Sequence, residues 1–274
     1  MIKIPTFLKW AGGKRRILNK LGNLFPKKID RYFEPFLGAG AVFFFVKQKY
    51  NPKFCMISDI NKDLIDTFIA VRDNPTKLIN YLKYFNKRHS KKFYYETREK
   101  LNKHKLSGLK RTAAFIYLNK TCFNGLYRVN SKNEFNVPCG KYKNPEIFNE
   151  KNIYFASRLL QGVKIKKQDY RKIKKLVRAG DFIYLDPCYD PIKKTSFINY
   201  TPERFCELDR IELARFINLL KIKRANIVLS NNDLPEIRKI YSNFKIKRIL
   251  ASRSINADFK GRGRVKELVI SNSK

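Results

Sequence analysis

The sequence predicts an α/β fold built on a mostly parallel, twisted sheet with helices on both faces. Short apolar runs of strand length alternate with helical segments in residues 30–75 and again after residue 158, and this alternation is typical of a parallel sheet. The run Phe182–Leu185 is apolar at every position, which indicates a strand buried on both faces. Pro187 ends that strand, because proline has no N–H to offer a central ladder.

The other elements of this domain follow from the same alternation. A short strand near Tyr32 leads through glycines into an apolar helix that ends at about Tyr50, and residues 53–58 form the next strand. Further strands are expected at 163–167, 225–229, 244–250 and 265–271, with helices at 170–178, 202–221 and 234–241. The last two strands are expected to form a closing pair.

Residues 76–157 break the alternation, so we expect residues 1–75 and 158–274 to form one discontinuous domain that carries residues 76–157 as an insert. A chain of 274 residues has room for one large domain with an insertion. In the insert, helices are predicted at 80–106 and 110–118. Two short segments flank the polar turn 130–133, which is typical of a β-hairpin.

The charge of the chain is strongly one-sided. Lys and Arg number 60 against 23 Asp and Glu, a formal net charge of +37. Polyanions are the natural partners of such a chain, and nucleic acid is the leading one. The alternative is a composition bias, because an AT-rich genome favours Lys, Asn, Ile, Phe and Tyr whatever the function.

The cysteines and histidines indicate reduced thiols and no metal site. The five cysteines are scattered without a C-x-x-C pair, and the two histidines supply no zinc-ligand spacing. The chain has no signal-peptide run and no stretch of 18 apolar residues. We therefore expect a cytoplasmic, nucleoid-associated protein with no membrane contact.

The stretch after the buried strand places an acid, a rigid turn and an aromatic ring at the sheet edge where ligands bind in α/β proteins. It reads Asp186-Pro187-Cys188-Tyr189 and resembles the catalytic motif of amino-methyltransferases, Asp/Asn/Ser-Pro-Pro-Tyr/Phe/Trp. The resemblance implies that the Asp186 carboxylate and the Pro187 carbonyl accept the protons of an exocyclic amino group and aim its lone pair at a methyl group. Tyr189 would stack on an extruded base. The alternative for a strand-end Asp-Pro is turn chemistry alone.

Cys188 is the one departure from that motif, since the family usually has a second proline there. Cysteine is small and apolar, so we expect it to be tolerated. The alternative is a reactive thiol made more acidic by nearby Lys and Arg.

The N-terminal segment 7–16 contains two glycines followed by lysine. It is not a Walker loop, which would need glycine where Leu8 stands and Ser or Thr where Arg15 stands. The segment resembles the N-terminal motif of the Dam-type DNA adenine methyltransferases. That resemblance implies that Trp10 and Lys14 bind S-adenosyl-L-methionine and that Lys9 faces DNA; taken alone, Trp10 would be a core aromatic.

Gly38 and Gly40 follow the first predicted strand and allow the backbone to come close to a ligand at the start of a helix. Preceded by residues 34–36, they resemble the cofactor loop of the same enzymes, which implies that Phe36, Gly38 and Gly40 contact the cofactor. Asp59 ends the next strand and is placed to accept hydrogen bonds from the cofactor's ribose hydroxyls. The alternative for Asp59 is a cap for the helix that follows.

The hairpin carries the most specific signal. Arg128 could donate two hydrogen bonds to a guanine in the major groove, and Leu126 and Tyr142 could wedge between bases. Residues 124–130 and 135–140 resemble the target-recognition hairpin of the Dam family, Asn-Gly-Leu-x-Arg-x-Asn followed by Phe-Asn-Val-Pro-x-Gly. By that resemblance Phe123, Asn124, Leu126 and Arg128 contact DNA. The alternative is a basic hairpin without sequence preference.

The motifs occur in the order cofactor loop, recognition insert, catalytic motif, and this order resembles that of the α group of DNA amino-methyltransferases. The resemblance implies a Rossmann-like methyltransferase fold and a site-specific enzyme that makes N6-methyladenine in duplex DNA, in a palindrome such as GATC, by base flipping and direct transfer. It implies Asp186 beside the cofactor, no metal, a monomer, and a restriction endonuclease as a functional partner where one is encoded. The alternatives are a DNA-binding protein of the same fold with impaired catalysis, and a methyltransferase acting on cytosine N4 or RNA.

Overall fold

The structure, a computed structural model, describes residues 2–187, 207–252 and 264–272. The strands of this part of the chain form one seven-stranded sheet in the order β3-β2-β1-β4-β5-β7-β6. Neighbouring strands from β3 to β5 pair in parallel, and β7 pairs antiparallel with both β5 and β6. The strands are β1 (Arg31–Glu34), β2 (Phe54–Asp59), β3 (Lys164–Lys167), β4 (Phe182–Leu185), β5 (Asn226–Asn232), β6 (Lys245–Ser252) and β7 (Arg264–Ser271).

Helices connect the strands on both sides of the sheet. They are α1 (Leu18–Gly22), α2 (Ala41–Tyr50), α3 (Lys62–Asp73), α4 (Pro75–Lys87), α5 (Lys91–Asn102), α6 (Gly108–Thr121), α7 (Glu150–Leu160), α8 (Glu207–Ile222) and α9 (Pro235–Ile240). Short 3-10 turns occupy Lys14–Ile17, Phe123–Gly125 and Tyr170–Lys175. The mixed α/β fold with a mostly parallel sheet and a closing antiparallel pair is confirmed.

Alternate residues of the central strands belong to two separate hydrophobic cores. In β4, Phe182 and Tyr184 pack into the core formed with α1 to α7, whereas Ile183 and Leu185 pack into the core formed with α8, α9 and the 3-10 turn 170–175. All four side chains are buried. The uninterrupted apolar run is thus explained by burial on both faces of a parallel sheet.

Two elements differ in extent from their sequence predictions. The strand expected at 225–229 continues through the polar residues to Asn232, because Ser230, Asn231 and Asn232 pair with β7. Buried hydroxyls support this extension, since Ser230 Oγ lies 2.8 Å from Tyr184 Oη. The helix expected at 170–178 is instead a 3-10 turn that ends at Lys175; its closely spaced basic residues repel one another and disfavour a longer helix.

Two helices, α4 and α5, occupy the part of the predicted insert where one long helical stretch was expected at 80–106. The helix is interrupted between α4 and α5. Ser90 is the N-cap of α5, and its Oγ accepts a hydrogen bond from Phe93 N at 3.1 Å. A serine followed by a helical run is a start signal. The prediction of one continuous stretch was wrong at this point.

The predicted hairpin is present as antiparallel pairing, but through isolated bridges instead of extended strands. Val129 pairs with Phe135, and Cys122 pairs with Cys139 at the base. The outward main-chain groups of Phe135 bind α5 and not a third strand: its N–H donates to Asn102 Oδ1 at 2.9 Å, and its carbonyl accepts from Asn102 Nδ2 at 3.0 Å. The Asn102 side chain therefore pairs both main-chain groups of Phe135.

Among the residues described, no helix has the length and apolar character needed to cross a lipid bilayer. Within the same ranges, no group of three or more His, Cys, Asp or Glu side chains could hold a metal ion.

Candidate active site and DNA-recognition surface

Three acidic residues stand at the carboxyl ends of neighbouring parallel strands. Glu34 ends β1, Asp59 ends β2, and Asp186 directly follows β4. Because β2, β1 and β4 are adjacent and parallel, their carboxyl ends lie at the same edge of the sheet, where ligands bind in open α/β folds. The predicted residues Asp59 and Asp186 are thus brought to one site.

The glycine loop joins β1 to α2 in a left-handed conformation. Gly38 has φ +50° and Gly40 has φ +72°, values that glycine adopts without steric cost. The Gly38 N–H donates to Asp59 Oδ2 at 3.3 Å, and the Asn61 N–H donates to Asp59 Oδ1 at 3.0 Å. The loop and the end of β2 are therefore tied together by one carboxylate.

Asp59 is not the cap of α3, so the alternative interpretation of this residue was wrong. Asn61 takes that role, accepting a hydrogen bond from Leu64 N at 2.9 Å. Burial raises the pKa of Asp59, and the hydrogen bonds from Asn61 and Gly38 oppose the rise. The half-buried carboxylate lies where the glycine loop meets the end of β2.

A substitution at Gly40 tests the packing of this loop. A Cβ at this position would lie 3.0 Å from the Phe68 ring in addition to the left-handed strain, so Gly40→Ala is expected to lower the free energy of unfolding by ~1–3 kcal/mol. Gly162→Ala is the matched control, because Gly162 has φ +73° but no atom within 4 Å of the added Cβ. Urea unfolding of both variants measures the two losses in unfolding free energy. The control loses stability through backbone strain alone, so equal losses in the two variants would contradict a close-packed loop.

Lys14 lies at the centre of the site and is nearly inaccessible, with 3% of its side chain exposed. Its Nζ is 2.9 Å from Asp186 Oδ2 and 3.8 Å from Glu267 Oε2, and it donates to the Gly12 carbonyl at 2.9 Å. A buried ammonium needs such partners, because removing a charge from water costs several kcal/mol. The N-terminal segment is thereby tied to both β4 and β7.

Glu34 forms the buried floor of the site. Tyr32 Oη donates to Glu34 Oε2 at 2.6 Å. Burial raises the pKa of Glu34 well above its ordinary value, and the nearby Asp186 and Asp59 carboxylates add to the rise against the hydrogen bonds from Tyr32 and Phe43. Burial thus favours the protonated form of Glu34.

Glu34 and Glu267 are the two acidic residues of this site that were not predicted. Glu34 follows an apolar strand, as Asp59 does, so its position at a strand end was a usable signal. Glu267 lies two residues before Val269 on β7, which places it on the same face as that buried residue. A charge on a core face requires a partner, and that requirement could have identified it.

Trp10 connects the glycine loop to the hairpin. Its ring stacks on Tyr127, with centroids 5.2 Å apart and an interplanar angle of 19°. A Cβ at Gly38 would lie 3.1 Å from Trp10 Cδ1. Phe36, on the other side of the loop, packs against Tyr170 with ring centroids 5.2 Å apart. The structure therefore places Trp10 beside the glycine loop and also against the insert.

Arg128 is held on the hairpin by Asn136. Its Nε donates to Asn136 Oδ1 at 2.7 Å, and one terminal nitrogen lies 3.4 Å from the Asn136 carbonyl. The hairpin strand that carries Asn136 is fixed in turn, because Tyr94 Oη and Arg98 donate to the Val137 carbonyl at 2.9 and 3.1 Å. The guanidinium is oriented by its neighbours before any ligand arrives.

Lys9 lies against the insert with Tyr142. The Lys9 main chain exchanges two hydrogen bonds of 2.8 Å with the Asn119 side chain. Its Nζ donates to the Lys120 carbonyl at 3.2 Å and lies 4.3 Å from the centre of the Tyr142 ring. A Cβ at Gly125 would collide with the Lys9 side chain, so glycine is required there.

The other predicted DNA contacts lie on the same part of the insert. Phe123 and Tyr142 are exposed aromatics, at 39% and 37%. Asn124 has φ +53°, and Leu126 is half-buried. Two exposed aromatic rings, one of them beside the Lys9 ammonium, suit contact with a polyanion that also has flat, apolar bases.

Several predicted features fall outside the described residues. They are Cys188 and Tyr189 of the catalytic motif and the start of the helix predicted at 202–221. Pro187 is described and buried.

Comparison with known proteins shows the family to which the chain belongs. The model of the D12 class N6 adenine-specific DNA methyltransferase family matches residues 10–255. The Type II methyltransferase M.MjaIII of Methanocaldococcus jannaschii is 43% identical over 99% of this chain and 100% of that protein. The DNA adenine methylases of Haemophilus influenzae and Escherichia coli are 36% and 32% identical over 98% of this chain, and 93% and 95% of their own lengths. The chain belongs to the D12 class of N6 adenine-specific DNA methyltransferases.

Proposed function

We propose that this DNA adenine methyltransferase takes its methyl group from S-adenosyl-L-methionine and acts on adenine within a short palindrome, GATC, in duplex DNA. The observation that carries the proposal is the position of Asp186. It follows β4, contacts buried Lys14 at 2.9 Å, and shares the sheet edge with the glycine loop and Asp59.

The residues at this edge fit S-adenosyl-L-methionine. Gly38 and Gly40 bring backbone without side chains to the edge, and the Asp59 carboxylate, hydrogen-bonded to the Gly38 and Asn61 N–H groups, stands beside them as a hydrogen-bond acceptor for ribose hydroxyls. Lys14 and Asp186 bring an ammonium and a carboxylate to the same edge. When bound, the cofactor supplies a methyl group already activated on a sulfonium. Phe36 and Trp10 border the same loop.

Asp186 and Pro187 are proposed to make the adenine amino group a better nucleophile. The lone pair of an adenine amino group is delocalised into the ring, so the nitrogen is a weak nucleophile. The Asp186 carboxylate and the Pro187 carbonyl would accept hydrogen bonds from its two N–H groups, localise the lone pair and stabilise the positive charge that develops on nitrogen. No covalent bond between enzyme and substrate is required.

The target adenine must leave the duplex to reach Asp186, because its amino group is paired inside the helix. We propose that Tyr189 stacks on the extruded base. Arg128 would donate hydrogen bonds to the edge of a guanine, and Leu126 and Tyr142 would insert between the bases that the extruded adenine leaves. The remaining contacts with DNA would come from Lys9, Phe123 and Asn124. The palindrome GATC rests on the resemblance of this hairpin to that of the Dam-type enzymes.

Base flipping can be measured with 2-aminopurine. A duplex that carries this fluorescent base in place of the GATC adenine is expected to brighten on binding, because the base loses its stacking neighbours. The control duplex carries 2-aminopurine two positions outside the site and should show little change. An equal response from both duplexes, or none from either, would contradict flipping at GATC.

We further propose that the enzyme is a monomer in the cytoplasm, associated with the nucleoid. Two of the relatives are named Type II methyltransferases, which supports a functional partnership with a restriction endonuclease. Light scattering of the free protein and of its complex with one duplex tests the monomer; a second copy in either state would contradict it.

A further inference from the structure

Glu267 is a buried carboxylate in the interior of the sheet. It lies on β7, where it is paired with Asn232 of β5 on one side and Ile249 of β6 on the other. The residue is 5% exposed. A carboxylate in the middle of a sheet is costly unless a cation compensates it, so its presence there calls for an explanation.

The Lys14 ammonium is a cation within reach of Glu267, which shares it with Asp186. The two carboxylates are not equivalent: Nζ lies 2.9 Å from Asp186 Oδ2 and 3.8 Å from Glu267 Oε2. The shorter contact is to the residue that must also engage the substrate. Asp186 is the more accessible of the two, with 19% of its side chain exposed against 6% for Glu267.

We propose that Glu267 is a positioning residue for methyl transfer, holding the Lys14 ammonium so that the Asp186 carboxylate can turn its oxygens to the adenine amino group. This inference rests on the role proposed above for Asp186. If Asp186 were the sole anionic partner, moving it toward substrate would leave the buried ammonium uncompensated, and that cost would fall on the reaction. With Glu267 present, Lys14 keeps an anionic neighbour throughout.

The charged and polar groups around the cluster are consistent with this division of roles. From β1, Glu34 faces Asp186, but burial raises its pKa well above the ordinary value, which favours its neutral form. From β4, the Tyr184 hydroxyl is held by Ser230, and burial, followed by the nearby Asp186 carboxylate, raises its pKa. Glu267 is the second carboxylate within 4 Å of Lys14 Nζ, at 3.8 Å, beside Asp186 at 2.9 Å.

The experiment compares Glu267→Gln, which keeps the volume and removes the charge, with Glu267→Asp, which keeps the charge and shortens the side chain. Glu267→Gln is expected to lower kcat about tenfold, equivalent to ~1.4 kcal/mol in activation free energy, with KM for duplex DNA nearly unchanged. Glu267→Asp should recover most of kcat. A packing role would reverse this order. Glu236→Gln, at an exposed carboxylate of α9, is the control and should behave as wild type.

A double-mutant cycle with Lys14→Gln tests whether Glu267 acts through Lys14. We expect the effect of Glu267→Gln on kcat to disappear in the Lys14→Gln background, and the unfolding free energies of the two variants to be non-additive. Calorimetric binding of S-adenosylhomocysteine provides a readout separate from turnover and should stay within about twofold of wild type for Glu267→Gln.

Each outcome decides the proposal. Additive effects on both kcat and unfolding, or wild-type kcat in a folded Glu267→Gln variant, would overturn it. If Glu267→Gln does not fold, Glu267→Met, which also removes the charge at similar volume, takes its place in the kcat comparison and in the cycle with Lys14→Gln. Failure of the proposed role of Asp186 is recognised separately, because Asp186→Ala would then retain turnover whatever the Lys14 cycle shows.

Discussion

Replacing Asp186 with alanine is expected to lower methyl transfer by about 10³-fold or more while duplex DNA still binds. The carboxylate acts on the amino group of the base and not on phosphates, so the electrostatic part of DNA binding should survive. The variant should also fold, because Lys14 keeps Glu267 as a partner at 3.8 Å. Transfer of labelled methyl groups and fluorescence anisotropy of a labelled duplex measure the two quantities.

Asp30→Ala is a suitable control for that variant, because Asp30 is an exposed carboxylate, at 55%, at the opposite end of β1. It should leave both turnover and affinity unchanged. Asp186→Asn, which keeps the shape but loses the charge, should be nearly as inactive as Asp186→Ala. Turnover close to wild type in either Asp186 variant would contradict the mechanism.

Replacing Arg128 with alanine is expected to remove ~1–3 kcal/mol of discrimination at one base pair of the target. Asn136 holds the guanidinium through Nε at 2.7 Å, which leaves N–H groups of the fork to meet a guanine edge. The loss should appear as a reduced ratio of affinities for cognate and singly substituted duplexes. Competition binding with each substituted duplex identifies the base pair concerned.

Lys132→Ala provides the comparison, because Lys132 is exposed at the turn of the same hairpin. If Lys132 contacts phosphate, its loss should weaken binding to all sequences alike and flatten the dependence on salt. An Arg128→Ala variant that loses cognate and non-cognate affinity equally would be a phosphate contact, and the proposed base readout would be wrong.

The order of elements and the edge that carries the site could be predicted from the sequence, because parallel strands impose simple rules. An apolar run buried on both faces needs no tertiary information to be recognised, and its carboxyl end is where ligands bind. Asp59 and Asp186 both follow strands of this kind, so the sequence places them at one edge, whereas the cofactor role of Asp59 depended on the resemblance of the glycine loop before it. Lys14 was included only by family resemblance, since nothing in its local sequence indicates a buried ammonium.

The rest depended on contacts between distant parts of the chain. Glu267 meets Lys14 only because β7 inserts between β5 and β6. Trp10 stacks on Tyr127 only because the insert folds back over the N-terminal segment. Local signals were also overlooked, including Ser90 as a helix start and Asn61 in place of Asp59 as a cap.

Single-molecule sequencing of DNA from cells that express the protein tests most directly whether the Asp186 site methylates adenine N6 at a fixed sequence. We predict N6-methyladenine at GATC in cells with the wild-type protein and its absence in cells with Asp186→Ala, in a host that lacks other adenine methylation. Methylation at a different sequence would contradict the proposed target. Modified cytosine in place of adenine, or undiminished adenine methylation with Asp186→Ala, would contradict the account of the site itself.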